Sequence, residues 1–175
     1  MSVNNIIEQP NKKVKAAFGL AIAEMVVDEL KSDEEGYLIA KEALKLSWEW
    51  IEKENVSGDT LAEYVDSPTE KDLGIREEYY DDNKNMISAL VVLTLAIGLV
   101  ARFAYELEGN RNRPTPIWET NEESLHDIVE FASNTKLYEE NKVDQISEFL
   151  INNYEDTEQK IDRDVILNIT YSHQN

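Results

Sequence analysis

Cysteine is absent from the 175 residues of this chain. That excludes disulfides, thiolate nucleophiles and Cys-ligated zinc, and it fits an intracellular setting better than an oxidising one. Glycine and proline are scarce, at six and four, so the chain has few places to break and long helices are expected. Histidine occurs only twice. No Gly-x-Ser-x-Gly elbow, Walker-type Gly-x-x-x-x-Gly-Lys loop or Gly-x-Gly-x-x-Gly turn is present, which removes the usual nucleophile and phosphate-cradling signatures. Hairpin pairs of the Asn-Gly or Asp-Gly kind and sustained period-2 runs are missing too, so strands are not expected. The opening MSVNNIIEQPNKKVK has neither an unbroken apolar core nor a small-residue cleavage site. No secretory signal is read there, and a cytoplasmic location is expected.

Basic side chains are also few: 17 against 36 acidic ones, a net charge of −19. Such a charge works against nucleic acid and anionic membranes and favours a basic partner. The acidity is patterned. Residues 63–82 carry a net −6 and residues 119–164 a net −10, while residues 83–118 between them carry +2. Within that middle block lies the longest uncharged run, Asn85 to Ala101, 17 residues closed by Arg102. It falls just short of a comfortable bilayer span, and a buried helix of about 82–108 is expected instead, with no membrane partner.

What is present reads as helix after helix. Apolar residues recur at Val14, Ala17, Phe18, Ala21, Ile22, Met25, Val26 and Leu30, the spacing of a helix burying one stripe. A second helix is expected over 34–54, with Ala40, Leu44, Trp48 and Ile51 on its buried face. Trp50 lies about 200° around from Trp48, so the two should not both point directly inwards. Ser57 or Asp59 can cap a short helix in TLAEYVD, and Asp81 and Asp82 can cap the central one. Thr120 and Glu123 have capping-box spacing. Later helices are expected over 139–154 and 157–169. The fold class is all-α: a single compact bundle of about six to seven helices around the 82–108 helix, forming one domain over 1–175, with 1–10 and 170–175 as frayed tails.

Catalysis finds little support. Glu123-x-x-His126 is half of a di-iron helix-bundle pattern, but that chemistry needs a second pair, and His173 has no Glu three residues before it. A helical enzyme or metal protein using carboxylates near His126 is the alternative reading. The expectation is no enzyme, no metal and no cofactor. Trp118 follows Pro116 in the longest break and either plugs the bundle end, which we favour, or stands exposed as an interface anchor. IREEYYDDN, at 75–83, places Glu77, Glu78, Tyr79, Tyr80, Asp81 and Asp82 just before the central helix. Two acids suffice to cap, so the rest are free for a partner, with one tyrosine expected inside and the other outside.

Three segments carry a family resemblance: ALKLSWEWIEKENVSGDTLAEYVDS, YYDDNKNMISALVVLTLAIGLVARFAYELEG and RPTPIWET. Across roughly residues 14–132 the chain resembles the immunity proteins of bacterial polymorphic-toxin systems, specifically the all-α Imm class numbered six. The resemblance implies a protein that binds a cognate toxin domain and blocks it, without catalytic residues of its own. Glu77, Glu78, Tyr79, Tyr80, Asp81, Asp82 and Trp118 are the expected partner-binding residues. The oligomeric state and the identity of the toxin stay open.

Overall fold

A computed structural model of the chain describes residues 3–155 and 158–172. Among these it contains nine α-helices, two 3-10 turns and no strands, the all-α class expected. The helices are α1 (Val3–Ile7), α2 (Lys12–Val26), α3 (Glu34–Lys53), α4 (Gly58–Ala62), α5 (Lys84–Leu107), α6 (Thr115–Glu119), α7 (Ser124–Ser133), α8 (Glu140–Asn153) and α9 (Arg163–Tyr171). A 3-10 turn, Val27–Leu30, extends α2, and a second, Gly74–Tyr79, precedes α5.

The centre of the bundle is a pair of helices, α2 and α5. Asn11 starts α2 by accepting from the Lys13 N–H, and every residue from Val14 to Val26 is buried. The sequence suggested one buried stripe. Instead α2 is ringed by α3, α5, α7, α8 and α9, and its Ala16, Ala17, Gly19, Ala21 and Ala23 let those neighbours come close. A Cβ added at Gly19 would already stand 3.4 Å from Leu125 and Ile128 of α7. The buried Glu24 carboxylate is satisfied by Arg163 at 2.7 Å, Tyr171 at 3.0 Å and Lys41 at 3.1 Å, which fastens α9 and α3 to α2. Helix α5 is long and apolar enough to cross a bilayer, yet 72% of its most apolar window is buried against other helices.

Several expected boundaries and caps move. Residues 3–7 form a helix that buries Ile6, rather than a frayed tail. The cap of α5 is Asn83, which accepts from the Met86 N–H at 3.2 Å, not Asp81 or Asp82. Those two sit too early, and Asp81 takes a left-handed turn (φ 48°) that carries the chain into the helix. The capping box does not form: Thr120 donates to the Pro116 carbonyl at 2.8 Å, and α7 starts only at Ser124. Ser57 caps α4, accepting from the Thr60 N–H at 3.1 Å. Helix α9 starts at Arg163, capped by Asp162; the expected start at Thr157 lies outside the described residues, as does His173. Trp48 and Trp50 are both buried, because α3 is covered on two sides. Trp48 and Arg163 line one cleft, and Trp50 another with Pro10 and Phe103.

Candidate functional site

The expected strip is built on the 3-10 turn Gly74–Tyr79. In a tight helical turn, residues three and four apart share a side, and here Leu73, Arg76 and Tyr80 point inwards. Tyr80 is therefore the inner tyrosine and Tyr79, 68% exposed, the outer one. Glu77, Glu78, Asp81 and Asp82 are exposed as well. None of these four carboxylates makes an ion pair or hydrogen bond with another described residue.

What holds the strip in place is one acid, Asp33, at the start of α3. Its carboxylate caps α3 by accepting from the Gly36 N–H at 3.0 Å. It also accepts two hydrogen bonds from the Arg76 guanidinium, at 3.0 and 2.5 Å, and one from the Tyr80 hydroxyl at 2.8 Å. Burial alone would raise the Asp33 pKa, but the hydrogen bonds from Arg76, Gly36 and Tyr80 outweigh it and hold the carboxyl below its ordinary value. Burial, with the donated bond to Asp33, pushes the Tyr80 hydroxyl well above the ordinary tyrosine range. Arg76 reaches Glu35 as well, at 3.0 Å, and lies under the Tyr79 ring with its carbon 4.9 Å from the centroid. An open cleft of about 590 Å³ runs along this feature between Ser32, Asp33, Tyr79, Asp82 and Met86.

Asp33 and Glu35 were absent from the expected site. The segment KSDEEG carries an N-cap signature, but nothing in it announces a partner 43 residues away. Leu73-x-x-Arg76-x-x-x-Tyr80 does have helical spacing, and that pattern identifies the inner tyrosine.

Trp118 does not join the strip. Arg102 donates to the carbonyls of Trp118 and Thr120 at 3.0 and 2.7 Å, which ties this corner to the far part of α5. Lys84 and Arg102 are about 27 Å apart along the helix at 1.5 Å per residue. Trp118 is also not a plug. It is 46% exposed, with the Arg113 guanidinium stacked 3.8 Å from its ring centroid. Helix α6 has five residues, and it is Ile117, not Trp118, that it buries, against Gly98 of α5. His126 is solvent-facing on α7, 3.7 Å from the exposed Glu123. Among the described residues no three His, Asp or Glu side chains converge as a metal site.

A family model described as "Immunity protein Imm6" matches residues 14–135. No curated protein and no solved structure matches the chain. The matched stretch runs from the first turn of α2 through α7 and takes in both the Asp33 clamp and the exposed strip. The chain belongs to the Imm6 immunity protein family.

Proposed function

We propose that this protein binds a cognate bacterial toxin domain and neutralises it through the surface of residues 75–82. Immunity proteins of this kind act by binding, and the family is generally non-enzymatic. The observation that carries the assignment to this surface is the uncompensated acid of the strip. Glu77, Glu78, Asp81 and Asp82 stand exposed without cationic partners among the described residues, on a turn fixed from below by Asp33, Arg76 and Tyr80. A fixed array of unpaired carboxylates attracts a basic partner at long range and loses little freedom on contact. The partner is a toxin domain with a basic face, met in the cytoplasm, with neither nucleic acid nor membrane involved. Trp118, exposed at the other end of α5, is a secondary contact candidate.

Two measurements test this. Cells expressing the toxin domain encoded beside this chain should survive when the protein is co-expressed; equal killing with and without it removes the proposal. Replacing Glu77, Glu78, Asp81 and Asp82 together by Lys should slow association at least ~10-fold at low salt and flatten its dependence on ionic strength. The four side chains make no hydrogen bond or ion pair with another described residue, and only Asp81, in its left-handed turn, strains on replacement, so circular dichroism should show the helicity retained. An unaltered on-rate would shift the contact to the acidic block of residues 119–164.

A further inference from the structure

The proline loop holds a second unusual group. Arg113 precedes Pro114 in a loop tied to α5, where the Asn110 N–H donates to the Tyr105 carbonyl at 3.0 Å. Its side chain is only 8% exposed and stacks on the Trp118 ring. Even so, the guanidinium donates no hydrogen bond to a described residue: Nε and Nη1 are enclosed without an acceptor, and Nη2 stays open. The acid it approaches, Glu106, stands 4.0 Å from Nη1 and already accepts from Lys12 and Arg102. Buried donors left this way are unfavourable until an acceptor completes them.

Arg113 borders an open cleft of about 360 Å³ with Asp59, Glu63, Asp66, Tyr105 and Asn112. Asp59 accepts from Tyr105, and Glu63 lies 3.8 Å from Lys71. Asp66 is exposed, and its carboxylate has no partner among the described residues. The cleft therefore sets one uncompensated donor among three acids. That mixture decides the class of occupant. A carboxylate would be repelled by the acids, and a simple cation by the guanidinium. A lysine or arginine residue supplies both complements, a main-chain carbonyl for the donor and a side-chain cation for the acids. Deepening the toxin-binding reading, on which it rests, we infer that this cleft is a second toxin contact and receives such a residue of the partner. The partner's main-chain carbonyl accepts from Arg113 Nη2, and its cation pairs with Asp66. Trp118 is a positioning residue, whose ring holds the guanidinium at the cleft.

The test compares fold with affinity, with the toxin domain encoded beside this chain as the probe. Arg113→Met keeps much of the volume and removes every donor. It should leave the thermal midpoint of the free protein unchanged or higher, because an uncompensated buried charge is gone. It should also raise the dissociation constant of the complex at least ~10-fold. Loss of a positive charge alone would favour a basic partner, so only a direct contact makes this variant bind worse. Arg111→Met, at an exposed cation that does not border the cleft, serves as the control and should not weaken binding. Asp66→Asn should raise the dissociation constant ~5-fold and reduce its salt dependence. Unchanged affinity for Arg113→Met overturns the inference and leaves the toxin-binding reading on the strip of residues 75–82. If Arg113→Met fails to fold, or weakens binding only along with a loss of stability, Asp66→Asn decides alone, and unchanged affinity there overturns the inference. If the parent protein forms no complex, both readings fall together.

Discussion

Asp33 shows how much one side chain can organise. It accepts from the Gly36 N–H at the start of α3, compensates a buried guanidinium and accepts from a phenol, so removing it costs more than a cap. Asp33→Ala should destabilise the protein by about 2–4 kcal/mol, since it leaves Arg76 buried with only Glu35 beside it. Urea unfolding of Asp33→Ala against Glu35→Ala would check this, and equal small losses would show that Arg76 finds other partners. The pH dependence follows the same bond. Because the folded carboxyl lies below its ordinary value of 3.8, its contribution is complete above that pH and is lost as the pH falls through 3.8 towards the folded value. At this scale the sequence was legible in outline. Two adjacent tyrosines had to diverge, but which one turned inwards depended on Leu73 and Arg76 keeping helical phase with Tyr80. Ser57 caps α4 as expected, but the cap of α5 was misassigned because Asp, Asn, Ser and Thr all suit the position, and only the backbone path chooses Asn83 over Asp81.

The elements themselves were easier to read than their surroundings. Long periodic segments became α2, α3, α5 and α8 within a few residues of expectation. Burial was harder, since it belongs to neighbours: Lys15 and Glu24 are charged positions of α2, yet both are buried, Lys15 beside Glu122 and Glu24 beneath Arg163, Tyr171 and Lys41. The shortest helices depend on tertiary contact beyond their caps. Five-residue α4 rests on α5 where Gly58 meets the Tyr105 ring, and a Cβ added there would stand 2.6 Å from it. Tyr105 in turn donates to Asp59 at 2.6 Å, and the Gly58 N–H donates to Glu108 at 2.7 Å. Gly58→Ala should therefore cost about 1–3 kcal/mol by overpacking. Hydrogen exchange should show α4 loosening before the rest of the bundle; unchanged protection there would mean that α4 can slide.

Over the whole molecule, a chain with 36 acids and 17 bases cannot pair its carboxylates with cations alone. Tyrosine makes up part of the difference. Tyr37, Tyr80, Tyr105 and Tyr171 each donate a hydroxyl to a carboxylate, of Asp28, Asp33, Asp59 and Glu24, at 2.6 to 3.1 Å. Burial and these bonds raise the pKa of all four. A group whose pKa is raised in the folded state contributes stability below its unfolded value, near 10 for tyrosine, and loses it as the pH rises through the folded value. Urea midpoints should hold to about pH 10 and then fall, with the tyrosinates of these four residues forming only as the protein unfolds. Ionisation of all four without loss of helicity would contradict this. Net charge alone suggested a basic partner; that tyrosine hydroxyls would satisfy acids such as Glu24 and Asp33 was not visible without the fold.

The separation between the clamp and the surface above it bears on how such a protein can change. Asp33, Arg76 and Tyr80 fix the path of residues 74–82, whereas Ile75, Glu77, Glu78, Tyr79 and Asp82 point away from that path and carry little of its stability. Substitutions at the outer positions can therefore accumulate almost without cost to folding. On the proposed reading, a lineage that must follow an altered toxin can redraw this face residue by residue while its scaffold stays put, without having to solve its fold again.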